Sequence, residues 1–495
     1  MRLGVNWRTS LALLGTLLKA LTVPLAVLIA IALIYHEPVV PFAVPLSITL
    51  IIGLGFERLE RDDPGPREAF LLVALAWLSV ALVGMIPFVL AGEGTLAQPT
   101  NALFESMSGI TTTGATVIRD FSIHSQSILL WRSALQWLGG LGILLLAVGL
   151  LSELAVSGAQ LMETETQTRT VTKLTPRIAQ TARLLGGLYV GLTVLMVVFL
   201  LVLQIVGLAP AMTFYNAVAH ALTTVSTAGF SPEALSIGAF SSAVQWVVIL
   251  FMFVGAVNFV LLYYLVQGDV SRLRDSEEFR FYVGVLLVAT ALTALALALN
   301  DRFSTLTTLR HALFQVVSII TTTGYATTDF ATWPVLSRHV LFCGMFIGGM
   351  AGSTTCSIKT VRWLVVVKTF RRDLFTSIHP EAISPVRLSG EPVEEDSIRD
   401  VYAYTLISIF VFGLLTVFIL VDASRAEIAI SEFEAMSTAA STFLNIGPAF
   451  GFAGPYGTYE VFPVSTKLVM IILMWIGRIE IIPVLVLFTP AFWRS

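Results

Sequence analysis

Four short polar segments, each with a glycine, recur along this hydrophobic chain: Thr111–Thr116, Ser226–Ser231, Thr321–Thr327 and Asn445–Pro448. Glycine reaches backbone dihedrals that other residues avoid, and nearby hydroxyls can fasten a loop through local backbone hydrogen bonds. Consecutive carbonyl oxygens in such a loop can replace the hydration shell of a monovalent cation. Four copies predict an ion filter, whereas one copy alone would indicate only a polar loop.

The predicted filter takes three carbonyls from each segment, ending at the glycine. The twelve residues are Thr112, Thr113, Gly114, Thr227, Ala228, Gly229, Thr322, Thr323, Gly324, Asn445, Ile446 and Gly447.

Composition places these segments in a membrane. The chain has 495 residues, of which 56% are hydrophobic and 12% charged, with mean hydropathy +0.85. Soluble proteins carry about 25% charged residues, so a polytopic membrane protein is indicated. The net charge of −3 says nothing about partners, and a nucleic-acid partner has no support because the sequence has no basic stripe or aromatic-interleaved patch. Two cysteines, Cys343 and Cys356, fit neither a disulfide framework nor a metal site.

Ten apolar stretches are long enough to cross the hydrocarbon core. They lie at about 10–34, 40–56, 69–91, 127–152, 184–207, 240–267, 281–299, 337–368, 400–421 and 465–490. The first is too long for a signal-peptide core and is interpreted as a retained span. Shorter apolar segments at 102–110, 212–226, 307–321 and 431–443 precede the polar motifs and predict half-helices that enter the membrane and turn back.

The spacing of these segments predicts an internal repeat and an all-α integral membrane protein. Four pseudo-repeats of span, re-entrant pore loop and span would surround one pore, preceded by a two-helix N-terminal addition. The predicted units are 1–60 for the addition and 61–160, 161–275, 276–375 and 376–495 for the repeats. Basic residues concentrate at 57–68, 163–183, 268–280 and 359–399, which predicts that these connections and both termini are cytoplasmic.

Two features inside spans suggest a gate. The eighth span contains Gly348, Gly349, Gly352, Ser353 and Thr354, which are poor mid-helix residues. They predict a broken helix with a loop beneath the filter, although close helix packing through small residues is the alternative. Arg478 lies near the middle of the last span, where an arginine is costly unless it faces a cavity or a partner. It could instead snorkel to the surface or pair with Glu480.

The chain resembles the Trk/Ktr/HKT superfamily of potassium transporters, and within it the bacterial Trk branch with two extra N-terminal helices. The resemblance rests on the four filter motifs and on the segments at 137–143, 175–179, 477–480 and 489–495. It implies that Gly114, Gly229, Gly324 and Gly447 coordinate potassium. Glycine at position 114, where some sodium-preferring plant relatives have serine, implies potassium selectivity with rubidium tolerated.

The resemblance also implies the gate and the partners. An intramembrane loop gates conduction in this family, and an arginine below the filter raises the barrier to cations, a role that falls to Arg478 here. Lys359 is a weaker candidate for stabilising the loop. The family forms homodimers and docks a cytoplasmic TrkA-like ring of nucleotide-binding subunits, so ATP/ADP or NAD(H) is expected on that partner and no organic cofactor on this chain.

The function predicted is potassium uptake across the bacterial inner membrane. A carrier of the same fold that also moves sodium, or that couples potassium to protons or sodium, remains an alternative. A polytopic membrane enzyme is a remote one, because the chain lacks His-Glu-x-x-His, Gly-x-Ser-x-Gly and paired intramembrane carboxylates.

Two details stay open at this point. Phe-Glu-x-Met-Ser occurs at 104–108 and at 433–437, but Phe433 precedes its glycine by four residues more than Phe104 does. Either the fourth pore helix is longer than the first, or the second occurrence of Phe-Glu-x-Met-Ser is accidental. Thr355-Cys356-Ser357 stands where the family usually has further glycines, which predicts a stiffer or differently hydrated gate loop.

Overall fold

The computed structural model describes residues 4–149, 178–300 and 302–494. Within these residues seven helices are long and apolar enough to cross a membrane, and an eighth span results if the bent pair Ser242–Gly255 and Phe259–Val266 counts as one. Many large apolar side chains on these helices are exposed, as expected where lipid surrounds the protein. The chain is therefore a multi-pass membrane protein.

The N-terminal addition is a helical hairpin, α1 (Trp7–Ile34) and α2 (Val40–Glu57), packed beside the first repeat. Glu37, between the two helices, accepts hydrogen bonds from the backbone of Gln126 (2.7 Å) and Ser127 (2.9 Å). These amides open a helix of the first repeat and have no partner within it. The Glu37 carboxylate thus joins the hairpin to the pore repeats.

The remaining helices follow the predicted repeat. Repeat one has α3 (Pro66–Ala91), α4 (Pro99–Ile110) and α5 (Gln126–Gly149). Repeat two has α6 (Ile178–Ile205), α7 (Phe214–Val225), α8 (Ser242–Gly255) and α9 (Phe259–Val266). Repeat two ends with α10 (Ser271–Asp275), and repeat three has α11 (Glu277–Ala298), α12 (Thr305–Ile320), α13 (Val335–Gly344) and α14 (Thr360–Ile378). Repeat four has α15 (Glu395–Arg425), α16 (Glu432–Phe443), α17 (Val464–Ile479), α18 (Ile481–Leu487) and α19 (Pro490–Trp493).

Short elements complete the described chain. Strands β1 (Arg387–Leu388) and β2 (Glu391–Pro392) pair antiparallel into a small hairpin between repeats three and four. Single 3₁₀ turns lie at Gly94–Ala97, Ser236–Ala239, Phe330–Thr332, Gly451–Ala453 and Tyr459–Val461.

Three predicted spans are interrupted. The break in the eighth was expected, and the structure replaces residues 345–359 by a loop between α13 and α14. The sixth and tenth were predicted to be continuous, and this is wrong. The sixth bends by 108° between Gly255 and Phe259, where the Asn258 side chain caps α9 by accepting from Val260 N at 2.8 Å. The tenth breaks at Glu480, whose φ is +66°.

The four half-helices are α4, α7, α12 and α16, called pore helices below. Their starts carry recognisable signals: Pro99 opens α4, Thr213 caps α7, and Ser431 with Glu434 forms a capping box on α16. The fourth pore helix has 12 residues, like the first. The two Phe-Glu-x-Met-Ser segments therefore occupy different positions in their pore helices. Phe433 lies in the first turn of α16, whereas Phe104 lies in the middle of α4.

The proposed repeat limits can be placed on these elements. The limit after residue 60 lies between α2 and α3, and the limit after 275 lies between α10 and α11. The limit after 375 lies inside α14, which ends at Ile378. Outside the described residues lie the limit after 160, residues 175–177 of the segment at 175–179, and most of the 163–183 connection.

Candidate ion filter and gate

All four pore helices end in the same turn. The second residue past each helix has a positive φ: Thr112 (53°), Thr227 (50°), Thr322 (53°) and Asn445 (56°). The next amide bonds back to a carbonyl in the last turn, with distances of 2.9 Å for Thr113 to Ser108, 2.9 Å for Ala228 to Thr223, 2.8 Å for Thr323 to Ser318 and 2.9 Å for Ile446 to Ser441. This is the Schellman arrangement, which closes a helix and reverses the chain.

The four turns meet in a closed ring through their glycines. Gly114, Gly229, Gly324 and Gly447 have φ values of 80°, 80°, 81° and 105°. A methyl group on any of them would collide with a carbonyl oxygen of the next repeat: 2.4 Å for Gly114 to Ala228, 1.8 Å for Gly229 to Thr323, 2.2 Å for Gly324 to Ile446 and 2.6 Å for Gly447 to Thr113. The contacts run from repeat one to two, three, four and back to one, so the segments surround one axis.

A polar vestibule opens on one side of this ring. Its cavity measures ≈ 180 Å³ and is lined by all four glycines together with Glu233, Arg119 and Arg132. Both arginines are paired there, Arg119 with Glu460 and Arg132 with Glu105. Because the ring directly follows the C-terminal ends of the four pore helices, their negative dipole ends favour a cation at this position.

Two side chains missed in the sequence support the filter backbone. Gln136 donates from Nε2 to the Ala228 carbonyl (2.7 Å) and accepts from the Phe230 amide (2.9 Å). Tyr459 donates its hydroxyl to the Gly447 carbonyl (2.6 Å). A carbonyl oxygen has two lone pairs, so each of these two keeps one for an ion. A glutamine buried in an apolar span was the available signal for Gln136.

A buried ion pair, also missed, fastens the first pore helix. Arg132 Nε lies 2.7 Å from Glu105 Oε1, and the two side chains are 1% and 0% exposed. Glu105 also accepts from the Val117 amide at 2.8 Å, and Arg132 donates to the Ser231 carbonyl at 3.1 Å. The pair thus links filter segments one and two. Two charges inside apolar segments could have been recognised from sequence by the reasoning that singled out Arg478.

On the side opposite the vestibule, the loop 345–359 lies against the filter. The hydroxyl of Thr227 is 3.0 Å from that of Thr354, and Thr322 Oγ1 accepts from the Cys356 amide at 2.9 Å. Thr112 Oγ1 is 3.7 Å from Cys356 Sγ. Three of the four positive-φ residues of the filter therefore contact this loop.

The loop is also tightly packed against its surroundings. A Cβ on Gly348 would lie 2.1 Å from the Cys356 carbonyl, and one on Gly349 would lie 2.8 Å from the Ala256 carbonyl. Gly352 has φ +71° and its carbonyl accepts from the Phe259 amide at 3.0 Å. The loop thus packs against the bend between α8 and α9. This contact explains why the sixth and the eighth spans are both interrupted.

Polar side chains bond within the loop. Ser353 Oγ donates to the Met350 carbonyl at 2.6 Å, and Ser357 Oγ donates to the Met345 carbonyl at 2.7 Å. Lys359 Nζ donates to the Thr355 carbonyl and, at 2.9 Å, to the Thr355 hydroxyl. The residues that replace glycine here therefore add hydrogen bonds to the loop.

Arg478 is 2% exposed and reaches the loop from α17. One terminal nitrogen donates to the Thr354 carbonyl (3.0 Å) and lies 2.8 Å from Cys356 Sγ, and the other donates to the Gly139 carbonyl (2.8 Å). Neither alternative interpretation holds, because Arg478 is buried and Glu480 pairs instead with Arg362 at 2.7 Å. Arg478 thus places a positive charge beside the loop, below the filter.

The chain is similar to known proteins in sequence and in structure. Residues 43–495 match the family model TrkH, described as a cation transport protein. The chain belongs to the TrkH family. It is 36% identical to the Trk system potassium uptake protein TrkH of Halomonas elongata, over 99% of this chain and 100% of that one. It is 34% identical to the protein of the same name from Escherichia coli K12, over 94% and 95% of the two chains.

A solved TrkH-family structure has the same fold. The crystal structure of the potassium transporter TrkH from Vibrio parahaemolyticus matches with a TM-score of 0.87 and 30% identity, covering 99% of this chain and 100% of that one. The resemblance to the Trk branch and the all-α membrane fold predicted from sequence are therefore confirmed. TrkH proteins are cation transporters, which excludes the membrane-enzyme alternative.

Proposed function

We propose that this protein takes up potassium across the bacterial inner membrane through the ring of four filter glycines. The observation that carries the proposal is the closed cycle of contacts from each glycine to a carbonyl of the next repeat. The relatives named as potassium uptake proteins support the same ion. In this proposal the carbonyls of the twelve predicted filter residues replace the hydration shell of potassium.

The ion-binding part of the proposal uses backbone oxygens rather than carboxylates. Among the residues lining the vestibule, Glu233 is the one acidic side chain, and it accepts a hydrogen bond from Asn216 at 3.0 Å. A filter built from neutral carbonyls suits a weakly hydrated monovalent ion, which must bind and then leave. Gly114 in the first segment supports potassium over sodium.

The gate in this proposal is the loop 345–359 with Arg478. The contacts of Thr354 and Cys356 with filter threonines support a position of the loop across the exit from the filter. Arg478 adds a positive charge that repels a cation at the same level. Lys359 stabilises the loop through Thr355. Conduction requires the loop to move aside and Arg478 to give up its bonds to Thr354 and Gly139.

The assembly is part of the proposal. The relatives' name, Trk system, implies further components. We place both termini and the basic connections in the cytoplasm, pair the chain as a homodimer in lipid, and dock a TrkA-like nucleotide-binding ring on the cytoplasmic face. ATP/ADP or NAD(H) bound to that ring would then bias the loop.

Ion flux into proteoliposomes that hold the purified protein tests the function. Potassium, rubidium, sodium and lithium are compared under the same gradient, with and without a proton gradient. Flux of potassium and rubidium well above that of sodium and lithium, independent of the proton gradient, is expected. Equal sodium flux would favour the mixed-cation alternative, and dependence on a proton or sodium gradient would favour ion-coupled transport.

A further inference from the structure

A buried carboxylate outside the filter holds the gate loop. Glu278, in the first turn of α11, is 0% exposed. Its Oε1 accepts from the Ala351 amide at 2.8 Å, from the Thr360 hydroxyl at 2.9 Å and from the Val361 amide at 3.1 Å. Hydrogen bonds to an ionised acceptor are about twice as strong as neutral ones, so these contacts are a strong local restraint.

The three donors hold the loop at its middle and at its end. Ala351 lies within the loop 345–359, whereas Thr360 and Val361 form the start of α14. The N-cap residue of α14, Lys359, makes no side-chain capping bond. Glu278 provides that cap from a neighbouring helix, where a negative charge is favoured by the helix dipole. The same oxygen therefore caps α14 and binds the loop.

Movement of the loop is incompatible with this arrangement. If α14 stays in place, displacing the loop from the filter separates Ala351 from Glu278. If α14 moves with the loop, the bonds to Thr360 and Val361 break as well. In either case a buried amide or hydroxyl loses a charged acceptor, which makes the open position less favourable.

We propose that Glu278 is a positioning residue that latches the gate loop against the filter. The inference rests on the proposed role of the loop as a gate. It assigns a part in that gate to Glu278, whose hydrogen bonds to Ala351, Thr360 and Val361 involve neither the filter nor Arg478. Removing the negative charge should free the loop without altering the filter.

The adjacent Glu277 provides a matched control. It has the same charge and lies on the same helix, but its contacts are with Lys368 and with the Ser389 amide at 3.1 Å in the cytoplasmic hairpin. It makes no hydrogen bond to the loop in the described part of the chain. Glu277→Gln therefore removes one charge at the same level of the membrane without touching the loop.

The cysteines of the chain provide a probe of loop position. Cys356 is buried in the loop, and the other cysteine, Cys343, is exposed on α13. In a Cys343→Ser background Cys356 is the single thiol. Its reaction with a cationic methanethiosulfonate reagent in detergent reports exposure of the loop, and rubidium and sodium flux in proteoliposomes reports conduction.

Glu278→Gln should speed modification of Cys356 by about tenfold and raise rubidium flux by a similar factor. The ratio of rubidium to sodium flux and the thermal midpoint should match those of the parent, which a general loss of structure would not allow. Glu278→Asp should give a Cys356 modification rate and a rubidium flux between those of Glu278→Gln and those of the parent. Glu277→Gln should match the parent in both. Glu278→Ala removes the acceptor altogether and tests the same point if it folds.

The outcomes separate the latch from the gate. Unchanged Cys356 reactivity in Glu278→Gln would overturn the latch, as would an equal increase in Glu277→Gln. Faster modification with unchanged flux would support the latch and overturn the proposal that the loop is the gate. A lower thermal midpoint in Glu278→Gln, with lost ion selectivity, would overturn the latch in favour of a purely structural role.

Discussion

At the scale of single residues, the filter glycines leave no room for a side chain. Gly114 combines φ +80° with a methyl-to-oxygen distance of 2.4 Å to the Ala228 carbonyl. The positive φ alone would cost a non-glycine residue about 1–3 kcal/mol. The collision adds displacement of an oxygen that the proposal assigns to the ion.

Gly114→Ser should therefore lower the selectivity for potassium over sodium. We expect a loss of about tenfold, which corresponds to roughly 1.4 kcal/mol of differential binding. The matched control is Gly207→Ala, since Gly207 also has a positive φ (77°) but has no atom within 4 Å of its Cβ position. Flux ratios from proteoliposomes measure both, and an unchanged ratio in Gly114→Ser would contradict the filter assignment.

In the proposed gate, Arg478 supplies the electrostatic part. Arg478→Ala removes the charge and the bonds to Thr354 and Gly139, so potassium flux without a regulatory partner should rise by about tenfold. Arg478→Lys keeps the charge, so its potassium flux should be closer to that of the parent. Arg399, whose side chain is 80% exposed, makes Arg399→Ala a suitable control. Unchanged or lower flux in Arg478→Ala, with intact folding, would count against this role.

The sequence identified the site residues at positions where the backbone conformation requires one residue type. Gly114 and its three counterparts stand out in the sequence because positive φ and close approach select glycine. The partners of Arg478 could not be found that way, since Gly139 is 339 residues distant and Thr354 is 124 residues distant. Gln136 likewise bonds to the filter through a long-range contact, since Ala228 is 92 residues distant.

At the scale of secondary structure, the pore helices must be held with their C-terminal ends at the filter. The buried pair Glu105–Arg132 does this for α4, because Arg132 on α5 also bonds the carbonyl of Ser231, the last residue of filter segment two. Breaking a buried pair leaves one charge without its partner, which costs about 3–5 kcal/mol.

Arg132→Met should thus destabilise the protein strongly, by about 3–5 kcal/mol. Arg119→Met is the control, because the Arg119 side chain is 62% exposed in its pair with Glu460 and such pairs contribute about 0–1 kcal/mol. Thermal unfolding in detergent measures both. The double variant Glu105→Gln/Arg132→Met should cost less than the sum of the single variants. Equal small losses in Arg132→Met and Arg119→Met would disprove the fastening role.

The ends of helices were predictable where glycine, proline or a capping serine marks them. The glycines and serine of the eighth span predicted its break, and Pro99 and Ser431 mark starts of pore helices. The bend after Gly255 lies in an apolar run, and its signal was a single asparagine, Asn258, which caps the following helix. The break at Glu480 had no such signal, because its positive φ of 66° belongs to a residue type that rarely adopts it.

At the scale of the whole molecule, four unequal sequences build one ring. The repeats share the turn and the glycine contact, but three filter threonines contact the gate loop whereas Asn445 donates to Thr113 (2.8 Å) and to Met474 (2.9 Å). The symmetric contacts thus belong to the proposed filter, and the departures from symmetry belong to the proposed gate. Periodic spacing predicted the first of these properties from sequence, and tertiary contacts alone decide the second.

The most direct test of the ring is to locate the ion. Crystals grown in rubidium chloride would be examined by anomalous diffraction at the rubidium edge, since rubidium stands in for potassium. We expect a peak on the axis enclosed by the carbonyls of Thr113, Ala228, Thr323 and Ile446. A peak that persists only outside this ring, or a peak on the axis that sodium displaces equally well, would contradict it.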